Sequence, residues 1–581
     1  MSIVTRVVAS APGMRAILAG TAVRGRRVRA ASRAILMSLV VLAAWPVGVG
    51  SGRVSAGDPQ EVRRLSITEY RDKVKGGFAG QIIGNLFGIP WEGQFTTFSG
   101  PKTITFYKEV PSGAFSDDDT FVELVALHAL EEHGIDATPR QLAAEWVDHI
   151  PRGAVACANF AALENFHRQI WPPDSGRPEN NIYYLYIDAQ IESDLYGLIA
   201  PGLPAAAQEY ARRFGSLTNS SDGLLGAVYV ATLYSLAFFE RDPEKLVTQA
   251  LAALPPESRY TQAIQAAVTA WKESPGDWRP ARQAIARRFY QPGWGPNSGW
   301  VLADINGAMV TLALLYGGGD FERTVQIAVQ AGFDNDCNAA TAGGIVGTMV
   351  GFSALPRRWV EPLGEAYYNR TLRGFPQFLS IDDVSERMAK IGLKVVARYG
   401  GAEEAGAGEL VIPVEPLPVA PYEPPVPEED VVRHMARPWN PLWEVYGLGF
   451  DMGPGLRTEY AGRPNVFVTH PKSTRIPAEL RARVSIPSQG HTVLEIGVTN
   501  YDQIADCDWV LKVFVDDQLL DERVIRREQG RMKWYDLSYD LTPWAGREVT
   551  IRLLNEANGW YYEAGYWSHA EVRTTPEGSG G

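Results

Sequence analysis

The chain has 581 residues, 45% hydrophobic and 21% charged, with a formal net charge of −12. That is ordinary globular usage with room for roughly two to four domains, and the negative balance argues against a nucleic-acid partner, which needs a basic surface. Only three cysteines occur, Cys157, Cys337 and Cys507, which excludes a disulfide framework, and no Cys-x-x-Cys pair offers a structural zinc site.

The first 56 residues stand apart. Arg24, Arg26, Arg27, Arg29 and Arg33 precede an almost wholly apolar run from Ala34 to Val49, and Val54-Ser55-Ala56 supplies a small-residue cleavage site. This is the layout of an export signal, with an apolar run short for a membrane span. The expectation is a signal peptide over 1–56 and a secreted or periplasmic mature chain with no stable membrane span. An uncleaved, membrane-anchored form is the alternative.

Residues 57–400 read as an all-α domain. Gly223 to Phe239, Trp300 to Tyr316 and Phe321 to Ala331 carry long apolar stretches without strand alternation. The segment Gln291-Pro292-Gly293-Trp294-Gly295-Pro296 interrupts the helices. In Lys75 to Glu92, the glycines at 76, 80, 84 and 88 recur every four residues and share one helix face. A mid-helix glycine costs roughly 0.8–1 kcal/mol relative to Ala, so the stripe implies very close helix packing or backbone approach to a ligand. Pro90 stops that helix and sets Glu92 just beyond it.

Two acidic knots precede buried-looking helices: Ser116-Asp117-Asp118-Asp119-Thr120 before Phe121 to Leu127, and Asp334-Asn335-Asp336-Cys337 before Ala339 to Gly347. Clustered carboxylates beside apolar helices need a compensating cation, and hard divalent cations prefer such oxygen ligands. An alternative reading is helix capping, with Ser116 and Asp119 forming the cap. His128 and His167 lack metal-ligand spacing, and His128 reads as structural. No Gly-x-Ser-x-Gly elbow appears.

Residues 401–437 carry prolines at 413, 416, 418, 421, 424, 425 and 427 and read as an extended linker without a packed core. From 438 to 575 the chain turns β-like, with Val493 to Val498, Val510 to Val515 and Val549 to Leu553 as short strands and Asp516-Asp517 and Ala545-Gly546 as turns. That spacing suggests a β-sandwich or jelly roll, similar in pattern to galactose-binding-like domains. The aromatic run Trp560-Tyr561-Tyr562 to Tyr566-Trp567 suits sugar stacking, sandwich core or an interdomain face.

The motifs resemble those of the ADP-ribosylglycohydrolase family, of the dinitrogenase-reductase-activating glycohydrolase type. Its opening motif corresponds to Gly76, Gly80, Gly84, Gly88, Pro90 and Glu92, its Thr-Asp-Asp-Thr motif to Asp117-Asp118-Asp119-Thr120, and its Gly-Gly-Asp-Thr-Asp-Thr motif to Gly332 through Cys337. Ser298 to Val301 and Gly343 to Gly351 flank them in the family manner. The resemblance implies an all-α fold and a two-metal centre for Mg²⁺ or Mn²⁺. It implies metal ligation by Asp117, Asp118, Asp119, Asp334 and Asp336, catalytic roles for Glu92, Asp118 and Asp334, and substrate contacts from Asn85, Gly88, Asn335 and Cys337. The implied reaction is hydrolysis of an ADP-ribosyl or related ribosyl or furanosyl glycosidic bond.

Three positions depart from the family pattern. Asn85 stands where Asp is common, and Asp117 and Cys337 replace hydroxyls. Leu198-Ile199 replaces a Met-Arg pair in the segment Ser193 to Gly202. Two alternatives stay open: an exported glycan-active glycoside hydrolase on the same scaffold, with glycan contact through the C-terminal domain, and a non-catalytic glycan- or nucleotide-binding protein with a degenerate metal site.

Overall fold

The computed structural model describes residues 61–576 except positions 116, 405, 505, 529 and 530. The expected export signal lies outside these residues. Among the described residues, no helix is long and apolar enough to cross a membrane.

Six helices carry the argument: α1 (Ile67–Gly88), α2 (Asp118–His133), α3 (Pro139–His149), α4 (Cys157–His167), α5 (Ala303–Gly317) and α6 (Asn335–Val350). Ser66 caps α1 by accepting from the Glu69 amide, and Thr138 and Gln141 close a capping box at α3 behind Pro139. The long apolar stretches become helices Ser221–Ala237, α5 and Phe321–Ala331.

The centre of the domain is the antiparallel seam between α1 and α6. A Cβ added at Gly76, Gly80 or Gly84 would stand 2.4, 2.3 or 1.9 Å from the carbonyl oxygens of Gly347, Gly343 and Ala339, and one at Gly88 would stand 2.2 Å from Asp336 Cα. The fit is reciprocal, since a Cβ at Gly347 would stand 2.1 Å from the Gly76 oxygen. The four-residue stripe is therefore a packing device in which two backbones touch. Its register places the C-terminal end of α1, with Asn85, against the N-terminal end of α6, with Asp334 and Asp336.

Two features differ from the all-α expectation. A short parallel pair joins Ala114–Phe115 to Ala366–Tyr368, which pairs in turn with Phe378–Ser380. The segment 401–437 is also more than a linker. Glu409–Pro413 pairs with Val62–Ser66 and with Ala402–Glu404, Leu410, Ile412 and Ala420 are buried in the helical core, and Glu428–His434 is a short helix. The alternation of Leu410 and Ile412 is a strand signal that the neighbouring prolines obscure. The longest stretch here with neither helix nor strand is 414–427.

The C-terminal domain stacks two five-stranded antiparallel sheets. One runs in the order Gln518–Arg526, Asp508–Val515, Glu548–Glu556, Ala478–Ser485, Glu444–Tyr446, and the other Tyr535–Asp540, His491–Thr499, Gly565–Thr575, Arg463–Thr469, Gly455–Tyr460. Trp509, Leu511, Val513 and Val515 alternate inward along their strand and meet Leu494, Ile496, Val498, Ile551 and Trp567 in one core. Asp516, at φ +52°, turns the Asp508–Arg526 hairpin. The aromatic run divides: Trp567 is fully buried, whereas Trp560 and Tyr561 are 48% and 56% exposed. The sandwich meets the helical domain at α4, where the Thr458 hydroxyl donates to the Glu164 carboxylate.

Candidate metal centre

Three backbone segments converge at the end of the α1–α6 seam. The first follows α1 through the short turn Ile89–Trp91 to Glu92, whose side chain is almost fully buried. The second is strand Ala114–Phe115, which runs into Asp117. Asp117 N-caps α2: its Oδ1 accepts from the Asp118 amide at 3.0 Å, and its own amide donates to Thr120 Oγ1 at 3.3 Å. The Tyr367 hydroxyl in turn donates to Thr120 Oγ1, tying this cap to the small sheet. The cap is thus built from Asp117 and Thr120, not from Asp119; Ser116 lies outside the described residues.

The third segment is Gly332-Phe333-Asp334, ahead of α6. Gly332 and Phe333 have φ of +88° and +67°. At Gly332 this left-handed backbone is essential, because a Cβ would lie 2.3 Å from the Phe95 carbonyl oxygen. The Gly93 amide donates to the Phe333 carbonyl at 3.0 Å and the Phe333 amide to the Gln94 carbonyl at 3.1 Å, so the loops bearing Glu92 and Asp334 are one unit. Buried Arg282 clamps that unit, donating to the carbonyls of Phe95, Thr96 and Ala331. Asn306 on α5 accepts from the Asp334 amide at 3.1 Å and from Asn338 Nδ2 at 2.8 Å.

The carboxylates this brings together form two adjoining groups. Oxygens of Asp117, Asp118 and Asp119 lie within 4.8 Å of one another, as do ligand atoms of Asp119, Asp336 and Cys337. Asp119 belongs to both. Burial pushes all five aspartates up from the ordinary carboxylate range; neighbouring carboxylates, Glu92 among them, add to this at Asp118 and Asp336. Among the described residues, no Lys, Arg or His side chain forms an ion pair with any of the five. Asp119 Oδ1 and Asp336 Oδ1 are buried without a hydrogen-bond partner. Buried acceptors this crowded and unpaired fit a hard divalent cation held by oxygen. The Cys337 thiol is also pushed well up, by burial and then by Asp119, so it stays protonated and donates to Asp119 Oδ2 at 3.5 Å.

The remaining expected residues take more structural positions. Asn85 Nδ2 donates to Asp119 Oδ2 at 2.8 Å and to Asp117 Oδ2 at 3.4 Å, orienting carboxylates where a substrate contact was expected. Gly88 is buried in the helix seam against Asp336. The Asn335 amide donates to the Val329 carbonyl at 2.5 Å, and its buried Oδ1 has no hydrogen-bond partner. Leu198 and Ile199 are fully buried in the core.

Other residues reach the centre that motif reading passed over. Asp188 accepts from the Asn159 amide at 2.9 Å, its Oδ2 is buried and unpartnered, and burial raises its pKa to about 7. Cys157, at the start of α4, has its thiol pushed well up by burial and then by Asp188, Asp334, Asp118 and Glu92, which puts it in the same electrostatic field. Glu123, one turn beyond Asp119 on α2, accepts from the Leu195 amide at 2.8 Å and from Gln81 Nε2 at 3.2 Å. For Glu123 the signal was available as an i, i+4 carboxylate pair.

No curated protein matches the chain. Among solved structures, an ADP-ribosylglycohydrolase-related protein complex is 20% identical, covering 56% of this chain and 97% of its own, with a TM-score of 0.36. A family 35 carbohydrate binding module from Clostridium thermocellum is 13% identical over 23% of this chain and 92% of its own, with a TM-score of 0.17. The sequence model of the ADP-ribosylglycohydrolase family matches residues 66–391, more than half of the chain and the whole span from the Ser66 cap to the α6 carboxylates, and the chain belongs to that family.

Proposed function

We propose that the chain is a metal-dependent hydrolase of an ADP-ribosyl or related ribosyl or furanosyl glycosidic bond. Membership of the family suggests glycosidic hydrolysis. The observation that carries the reading is the set of five aspartates without a cationic side-chain partner among the described residues, two of them with orphaned buried oxygens. Asp117, Asp118, Asp119 and Asp336 would hold the ions, Mg²⁺ or Mn²⁺, in the two groups that share Asp119, with Asp334, beside Asp336 and Cys337, as a further ligand. Bound there, a divalent ion supplies Lewis-acid polarisation of substrate oxygens.

The chain's own residues do the rest. Asn85 keeps Asp119 and Asp117 oriented toward the ions. Glu92, shielded from solvent and in the field of Asp118 and Asp336, serves to take a proton from the attacking water. Bond cleavage at the anomeric carbon passes through an oxocarbenium-like ribosyl centre, which the negative field of these carboxylates stabilises. A glycan-active reading draws support from one observation: Trp560 and Tyr561 stand exposed beside Asp451, Met452 and His470 on the sandwich. The basic and apolar run within 1–56 supports export of the chain.

The test is calorimetric titration of Mg²⁺ into the chain, with and without ADP-ribose, against the Asp334→Asn/Asp336→Asn variant. Metal binding that ADP-ribose strengthens, and that the variant loses, supports the nucleotide-sugar reading. Metal binding indifferent to ADP-ribose selects another glycoside and calls for a glycan panel. Absence of metal binding by the unmodified chain overturns the proposal and leaves a binding protein.

A further inference from the structure

Three of the chain's eight histidines gather around one carboxylate, well away from the aspartate centre. His128 and His133 lie on α2 and Glu145 and His149 on α3; His128 is ten residues beyond Asp118, about 15 Å along the helix axis. Glu145 Oε1 lies 2.8 Å from His133 Nε2, and Oε2 lies 3.0 Å from His149 Nε2 and 3.5 Å from His128 Nε2. All four side chains are partly exposed, so the cluster is open to solutes.

The second partner of His149 decides what these contacts require. Its Nδ1 lies 2.8 Å from the Arg373 carbonyl oxygen, which can only accept, so Nδ1 carries the proton. In the neutral ring, Nε2 then presents a lone pair to the carboxylate oxygen at 3.0 Å. Such a contact is repulsive unless a proton or a cation lies at it. The His128 and His149 rings lie edge to face, 5.1 Å apart, on the same side of the carboxylate. A divalent ion between His128, Glu145 and His149 would occupy the His149 lone pair and satisfy that contact. Ligand atoms of His128, Glu145 and His149 already lie within 4.8 Å of one another.

The surroundings hold the rings in place. Phe375 meets the His128 and His149 rings edge-on, at 5.3 and 5.0 Å between centroids. Gly374, at φ +75°, turns the chain beside His149; a Cβ there would stand 3.3 Å from the imidazole. A backbone carbonyl on the far nitrogen and a packed aromatic wall are the outer-shell supports of a metal-binding histidine.

We propose that His128, Glu145 and His149 form a transition-metal site, with two imidazole nitrogens and one carboxylate, suited to Zn²⁺, while His133 holds the other Glu145 oxygen. Imidazole donors favour zinc over magnesium, which takes all-oxygen sets. The ion would join α2, α3 and the 369–375 loop. α2 begins at the Asp117 cap, and the loop follows the strand that carries Tyr367 to Thr120. Zinc at one end of α2 therefore braces the helix whose other end presents Asp118 and Asp119. The site is independent of the glycosidase reading.

The experiment is a Zn²⁺ titration of the metal-stripped full chain by competition with a chromophoric chelator, in saturating Mg²⁺ so that the aspartate centre is filled. The wild type is expected to take up about one equivalent of zinc and to melt at a higher temperature with it. His128→Gln/His149→Gln is expected to bind that equivalent about 100-fold more weakly, as is Glu145→Gln, which keeps all the imidazoles and guards against a folding defect. Replacing Zn²⁺ by Co²⁺ should give the visible bands of a four-coordinate nitrogen–oxygen site in the wild type alone. Zinc uptake unchanged in both variants, or no zinc uptake by the wild type, overturns the proposal.

Discussion

Gly84→Ala tests the seam on which the whole centre rests. The added methyl would stand 1.9 Å from the Ala339 carbonyl oxygen, 2.2 Å from its carbon and 2.6 Å from the Ala340 nitrogen. All three are backbone atoms, so no side chain can swing aside. Ordinary contact begins near 3.4 Å, so the two helices must part by about 1.5 Å at this point. Helix propensity alone would make the change stabilising by about 0.8–1 kcal/mol. Overpacking of this kind costs typically ~1–3 kcal/mol or more, so the sign of the net effect reports the seam. The expected outcome is net destabilisation, read as a lower urea midpoint of the helical far-ultraviolet signal. Asp336 lies three residues before Ala339 on the displaced helix, and Asn85 adjoins the substituted position. A misplacement of order 1 Å at a preorganised site costs about 100-fold, so Mg²⁺ affinity should fall with stability. Gly276→Ala, whose methyl would meet nothing within 4 Å, serves as the control. A Gly84→Ala chain as stable as the wild type, with unchanged Mg²⁺ affinity, would refute the reasoning.

The metal-free chain should lose stability as pH rises. Burial raises Asp188 from 3.8 to about 7, and Asp118, Asp119 and Asp336 shift the same way. The folded chain therefore keeps protons that the unfolded chain releases; the contribution is present below the ordinary aspartate value and lost as pH rises through about 7. Urea midpoints taken in chelator from pH 5 to 8 should fall, and saturating Mg²⁺ should flatten the trend; a midpoint that rises in chelator contradicts the buried, unpaired carboxylates. Arg282→Ala leaves three carbonyls without their donor, each at roughly 1–3 kcal/mol. It should destabilise the helical domain and weaken Mg²⁺ binding together, with Arg282→Lys restoring only part because an ammonium cannot span the fork. Loss of stability with metal affinity intact would separate the clamp from the centre. Trp560→Ala should weaken retention on immobilised glycans about tenfold if the exposed aromatics stack on sugar, with thermal stability unchanged; equal retention assigns those side chains no glycan role.

What the sequence made legible follows the reach of local signals. Asp117 to Asp119 and Asp334 to Asp336 stand out because each set is contiguous, and a contiguous acidic run before an apolar helix is either a cap or a set of cation ligands. The glycine stripe was ambiguous between packing and ligand approach because the deciding partner helix, Asn335–Val350, lies far downstream in the chain. Yet Gly343 and Gly347 carry the same four-residue spacing, and two complementary stripes are a stronger packing signal than one. Asp188, Asn306 and Cys157 left no mark, since each is a single polar residue in an ordinary helix or loop brought inward by the fold. The histidines escaped for a related reason. They divide between two helices, and the short connection from His133 to Pro139 turns their separate spacings into one cluster.

Asn85 shows most directly why a departure from a motif has to be read in three dimensions. In the sequence it counts as a missing carboxylate, and so as a weakness in a metal centre. In the structure its amide donates to Asp119 at 2.8 Å and to Asp117 at 3.4 Å, the two aspartates flanking Asp118. Asp117 is itself the added charge, standing where the family pattern has a hydroxyl. The two departures therefore offset each other: a carboxylate leaves α1, one enters the α2 cap, and the amide left behind holds the newcomer. An amide that holds two buried carboxylates in place keeps the centre's demand for a cation, and Asn85→Ala is expected to weaken Mg²⁺ binding in calorimetric titration.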